Sequence, residues 1–274
     1  MPLPARWSAL LRRLNPGASS VPLPIRAWAR TLRRLPAGEV PDFWCRIIEK
    51  EPPAVFVGLL RAVGGFSGMR LTLDDEGFPL AYRIVHMLFR CNHDEGIRAL
   101  FADMPRGNRL INPRSADWVD VRWPTLTLAV QQKLWSLVPW LLERGASPAT
   151  GDKSGYTPLH YAVAAAPDET WRLLLARSDP HASNDDGNTP AHLLARDTGF
   201  TDAAAAARAR QRWKDLRAAG FSASTCNGKG ETAAAVLQKR GLPDFDALIA
   251  RHEAAELAGH LDPAAAPSRA RLRL

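Results

Sequence analysis

Residues 152–163 read DKSGYTPLHYAV, a polar turn that runs into Thr-Pro-Leu-His and then into an apolar segment. The next likeness along the chain is Gly187-Asn188-Thr189-Pro190-Ala191-His192-Leu193-Leu194, placing Thr189 32 residues after Thr157. A weaker third copy, Gly230-Glu231-Thr232-Ala233-Ala234, keeps Gly-x-Thr and loses the Pro and His. The flanks carry the same register: Gly145 to Gly220 and Thr157 to Thr232 are both displacements of 75 residues. Two independent landmarks with one offset identify an internal repeat rather than an isolated motif.

Each residue type in the unit has a physical task. Asp152, Asn184 and Asn227 stand three residues before Gly155, Gly187 and Gly230. An Asx side chain bonds local backbone and glycine accepts positive φ, so each pair predicts a turn. Thr157 and Thr189 are placed as helix N-caps, with Pro158 and Pro190 at the first helical position, where a missing N–H costs nothing. Leu159 and Ala162 then share a helical face, and Leu173, Leu174 and Leu175 supply a second helix. The unit is a turn followed by two short helices.

This pattern resembles the ankyrin repeat family, through Gly155 to Ala162 and through Leu141-Leu142-Glu143-Arg144-Gly145-Ala146. The resemblance covers about 122–249 in four units, beginning near Arg122, Asp152, Asn184 and Asn227. It implies an all-α, ankyrin-type solenoid of paired antiparallel helices joined by hairpin loops, with an additional helical region at the N-terminal side. The step from Thr189 to Thr232 is 43 residues, and the excess falls around 198–212 with the run 203–207 of alanines. A lengthened helix or an inserted turn is expected there.

The organisation that follows is a basic amphipathic segment at 1–38, a helical region at 39–118, the repeat domain at 119–252 and a helix end with a disordered tail at 253–274. Within the second region, 74–106 is a candidate degenerate repeat, since Asp74-Asp75-Glu76-Gly77 keeps the Asp-x-x-Gly turn. Residues 1–38 hold seven arginines and no acid, and Arg269, Arg271 and Arg273 lie at the other end. Without these ten the remaining 26 basic residues face 28 acids, so the net charge of +8 belongs to the ends. A uniformly basic nucleic-acid-binding body is not indicated.

In 25–35, Trp28, Thr31, Leu32 and Leu35 can share one helical face with arginines elsewhere. Two readings stand: a cover for the first apolar face of the stack, or weak adhesion to an anionic membrane. No apolar run reaches a membrane span and no secretory signal is legible, so a cytoplasmic location is expected, or export to a host cell without a cleaved signal. The three cysteines, Cys45, Cys91 and Cys226, have no metal-ligand spacing. The bias of 30 arginines to six lysines, with the alanine content, suggests a GC-rich bacterial genome.

Catalytic motifs are not found. His160 and His192 occupy one repeat position, which the resemblance makes structural. His93-Asp94-Glu95 reads as a helix start and His86 as a partly buried histidine. The segment Gly64-Gly65-Phe66-Ser67-Gly68 lacks the Lys-Ser/Thr of a phosphate loop. Trp135, Trp140, Trp171 and Trp213 are expected in packing, and Trp118 and Trp123 bracket a connection.

The expected function is a non-catalytic protein-interaction module, bacterial adaptor or host-directed effector, with no cofactor and no small-molecule substrate. By resemblance, the partner-binding candidates are Lys153, Ser154, Tyr156, Asp185, Asp186, Asn188, Lys229 and Glu231 at the tips, with Tyr161, Leu193 and Arg196 on the first-helix face. The alternatives are a membrane-peripheral protein anchored by its N-terminus and an unrecognised enzyme in 39–115.

Overall fold

A computed structural model describes residues 25–71, 78–102, 104–113, 123–197, 203–242 and 245–247. The basic segment before residue 25, the turn at 74–77, Trp118, Asp120 and Arg122, and the tail at 253–274 lie outside the described residues. Twelve α-helices occur among the described residues, and the chain divides into two compact units, 1–147 and 148–274.

In the first unit α1 (Ile25–Arg34), α2 (Val40–Lys50), α3 (Pro53–Val63), α4 (Phe78–Arg90), α5 (Asp94–Ala102), α6 (Thr125–Gln131) and α7 (Leu137–Glu143) follow one another. Alternate helices pack together: α1 on α3 and α3 on α5 form one layer, and α2 on α4 and α4 on α6 form the other. Consecutive helices α2/α3, α4/α5 and α6/α7 also touch, so each pair is a helical hairpin spanning both layers. Trp44, Phe56, Phe89, Phe101, Leu32 and Leu59 are fully buried between them.

Local chemistry sets the ends of these helices. Pro41 and Pro53 lie in the first turns of α2 and α3, where proline forfeits no intrahelical bond. His93 caps α5, its Nδ1 accepting from the Gly96 N–H at 3.0 Å, while Asp94 and Glu95 oppose the positive end of the helix dipole. The stretch 64–68 is a left-handed helix stop followed by a 3₁₀ turn, Phe66–Met69, whose last carbonyl accepts from the Trp44 indole. Its geometry is that of a connection.

In the second unit α8 (Pro158–Ala165) and α9 (Asp168–Leu175) form one hairpin, followed by α10 (Pro190–Asp197), α11 (Ala203–Ala218) and α12 (Ala233–Lys239). The first helices α8, α10 and α12 pack in series, with α9 against α8 and α11 against α10. The long third spacing takes the form of α11, 16 residues against eight in α9. A helical turn at 245–247 places Phe245 face to face with Trp213, ring centroids 4.7 Å apart.

Arginines hold these helices by a device that sequence reading missed, and one of them, Arg212, is fully buried. The Arg212 guanidinium of α11 donates to the carbonyls of Ala162, Val163 and Ala166 at the C-terminal end of α8, and lies 5.1 Å from the Trp171 ring centroid. Burial lowers its pKa to about 10, so it is still a cation at neutral pH. Arg240 donates to Ala195 at the end of α10; in the first unit, Arg70 serves Leu32 and Leu35, and Arg144 serves Ala102 and Met104. In Arg212 and Arg144 the fork spreads its donors over two nitrogens, where an ammonium has one, and the positive charge opposes the negative helix end.

Candidate functional site

The second unit presents three hairpin loops built on one plan. Asp152 Oδ1 accepts from the N–H groups of Ser154 and Tyr156 at 2.9 and 3.0 Å. Asn184 Oδ1 does the same for Asp186 and Asn188, and Asn227 Oδ1 for Lys229 and Glu231. Across the mouth of each loop, Asp152 N donates to Tyr156 O, Asn184 N to Asn188 O and Asn227 N to Glu231 O. One Asx side chain therefore organises each tip.

The loops are also bonded to one another through the backbone. Asp185 N donates to Ser154 O at 3.1 Å, and Gly228 N to Asp186 O at 2.9 Å. Gly155 and Gly187 stand at positive φ in these contacts, and a Cβ on Gly187 would come 2.4 Å from Gly228 N. Glycine is required there both by conformation and by the closeness of the next loop.

The histidines fasten the same loops from below. Thr157 N donates to His160 Nδ1 at 3.1 Å and the Thr157 hydroxyl lies 2.8 Å from that nitrogen, while His160 Nε2 lies 3.0 Å from Asn188 O. A backbone N–H can only donate and a carbonyl can only accept, so the ring is neutral with its proton on Nε2. His192 repeats this, with Thr189 N on Nδ1 and Glu231 O on Nε2 at 2.9 Å. Burial is the main cause holding both rings below the usual histidine pKa. With both nitrogens engaged, neither ring can offer a free lone pair to a metal or substrate.

What remains for a partner is narrower than the sequence-derived set. Lys153, Ser154, Asp185, Asp186 and Lys229 are exposed, and their side chains make no hydrogen bond or ion pair among the described residues. Arg196 is exposed in the last turn of α10. Tyr156 and Tyr161 are half-buried with ring centroids 5.6 Å apart, and the Tyr161 hydroxyl donates to Asp152 Oδ2 at 2.7 Å.

Asn188 and Glu231 are engaged internally. Asn227 Nδ2 donates to Asn188 Oδ1 at 3.0 Å and to Glu231 Oε2 at 3.3 Å, and Lys239 pairs with Glu231 Oε1. The Lys239 hydrogen bond is the first cause of the lowered Glu231 pKa. Leu193 must be removed from the candidate surface: it is 3% exposed, because α10 packs against both α8 and α12 and buries 191–195 continuously.

The other sequence-derived residues take structural places. Thr157, Pro158, Leu159, Thr189 and Pro190 are buried at the starts of α8 and α10, and Gly145 and Gly220 follow α7 and α11 at positive φ. Trp171 and Trp213 are buried with their indole N–H groups on Asp215 and Asp246, both at 2.9 Å. Trp135 and Trp140 are half-buried, and Trp123 stacks on half-buried His86, centroids 6.1 Å apart. Cys226 is an exposed thiol and Cys45 a buried one, pushed up to about 11 by desolvation.

Comparison with known proteins agrees with this geometry. Residues 126–206 match the family model for ankyrin repeats (3 copies). A stretch of 58 residues, 20% of this chain, is 48% identical to neurogenic locus notch homolog protein 4 of Homo sapiens, and spans only 3% of that protein. Members of the family are generally non-catalytic, and their repeats serve contacts between proteins. With loops, caps and paired helices in the repeat register, residues 126–206 carry ankyrin repeats, and the described residues are all-α, built of paired helices.

Proposed function

We propose that the second unit binds a protein partner through its loop tips, with Lys153, Ser154, Asp185, Asp186 and Lys229 as the contacting side chains and Arg196, in the last turn of α10, as a further contact. One observation carries this reading: the three loops are tied to each other through backbone and histidine bonds, while these five exposed side chains make no hydrogen bond or ion pair among the described residues. Rigid tips present variable side chains at little ordering cost, so substitutions there alter recognition without unfolding the stack. The tips alternate in charge, Lys153, then Asp185 and Asp186, then Lys229, which selects a partner with the complementary order.

In this reading the chain is a bacterial adaptor acting in the cytoplasm, or in a host cell after export, and it performs no catalysis. The helical hairpin α4/α5, with the candidate turn at 74–77, is a divergent repeat within 74–106. The test is a pulldown with the full chain carrying Lys153→Glu, Asp186→Lys and Lys229→Glu. Loss of the recovered partner with melting unchanged supports the assignment. Equal recovery by the variant overturns it.

A further inference from the structure

The outer face of α1 is a row of cations with no acidic partner among the described residues. Trp28, Leu32 and Leu35 recur at i, i+4 and i+7 and are 2%, 0% and 4% exposed, so the apolar stripe of this helix is spent on packing against α3. Arg30, Arg33 and Arg34 stand at i, i+3 and i+4 on the opposite side and are exposed. Arg61, in the last turn of α3, is exposed as well.

None of these four arginines makes an ion pair or side-chain hydrogen bond among the described residues. Their surroundings explain why: the sequence has no carboxylate in 1–38 and none in 52–73, so the two packed helices bring no acid with them. Arg70, the other cation of that stretch, is already occupied on the carbonyls of Leu32 and Leu35. Elsewhere the protein balances its charges, 26 basic residues against 28 acids outside the termini. The α1 face is a local excess of one sign.

We propose that this face docks on an anionic lipid bilayer, with Arg30, Arg33 and Arg34 on headgroup phosphates and carboxylates. A helix whose apolar stripe lies in the core cannot insert, so the contact is electrostatic and superficial. Single-stranded nucleic acid is the less suited occupant, because α1 and α3 expose no aromatic ring on which a base could stack. The 24 residues before α1 add Arg6, Arg12 and Arg13 with Trp7, Leu10, Leu11 and Leu14, and no acid. That composition favours a bilayer over a soluble acidic protein, since Trp and Leu gain from an apolar interface and arginine from anionic headgroups.

The test is co-sedimentation of the full chain with phosphatidylcholine vesicles, with and without phosphatidylserine, at low and at physiological salt. Binding is expected only with phosphatidylserine and is weakened by salt. Arg30→Gln, Arg33→Gln and Arg34→Gln together lower it by roughly tenfold to a hundredfold with melting unchanged. Lysine at the same three positions restores it. The proposal is overturned by a triple glutamine variant that binds as the parent does, or by failure of the parent to bind anionic vesicles. A loss confined to Arg6→Gln, Arg12→Gln and Arg13→Gln also overturns it, as does tighter binding of an oligonucleotide or polyglutamate through the same three arginines. The loop-tip variant is expected to retain full vesicle binding, which separates this surface from the partner-binding one.

Discussion

His160 Nε2 donates its proton to the carbonyl oxygen of Asn188, 3.0 Å away and 28 residues later in the chain. The Thr157 N–H donates to Nδ1, which must therefore be unprotonated, so the ring is neutral with its proton on Nε2. Protonating Nδ1 sets two donors against each other.

Stability is therefore expected to fall on acidification. Burial holds both His160 and His192 below the ordinary value of about 6.5, so the unfolded chain takes up protons that the folded rings refuse. Their contribution is fully present above about pH 6.5 and is lost as pH falls from there through the depressed folded values. Urea midpoints measured between neutral and mildly acidic pH should decline. In a His160→Ala, His192→Ala chain, less stable by about 1–3 kcal/mol per site at neutral pH, the decline should flatten.

Thr157→Ala removes the hydroxyl at the start of α8 and is expected to cost about 1 kcal/mol. Thr157→Ser should recover most of it. Thermal melting of the two variants side by side checks this, and equal loss would assign the effect to the methyl group instead.

Arg212→Lys is not a conservative change at its site. A lysine brings charge but no planar fork, leaving at least one of the Ala162, Val163 and Ala166 carbonyls without its donor. A loss of about 2–3 kcal/mol is expected in chemical denaturation, whereas Arg208→Lys, at an exposed position of the same helix, should change little.

Gly187 and Gly230 occupy the same loop position and both have positive φ, yet their surroundings differ. A Cβ on Gly187 would strike Gly228 N at 2.4 Å, while Gly230 has nothing within 4 Å. Gly230→Ala should cost about 1–2 kcal/mol for conformation alone. Gly187→Ala should cost more, since the next loop must also move, and should weaken partner binding at Asp186 and Lys229.

The parts of the fold that rest on short-range chemistry were legible in the chain. Asx-x-x-Gly predicted the three tips, Thr-Pro the helix starts, and the fixed offset the stacking of equivalent helices, because each depends on residues within a few positions of one another. The lengthened α11 was legible as an alanine-rich excess. The helices before residue 103 were legible as apolar segments, but not their alternation into the same two layers, since their turns carry no Thr-Pro-x-His.

The candidate surface depended on tertiary structure. Tyr161 and Leu193 hold one repeat position, yet Leu193 is enclosed between two neighbouring helices and Tyr161 reaches out to Asp152. Asn188 and Glu231 look like free tip residues until Asn227 and Lys239 are seen to engage them. Arg30 was placed off the apolar face of its helix by the sequence pattern, whereas nothing in the alanine- and arginine-rich run of α11 marked Arg212 as the arginine buried against α8. The sequence by itself determined the repeat, its turns and its caps, whose physics is local. Which polar groups remain for a partner was decided only by packing, because a side chain is free or occupied according to neighbours tens of residues away.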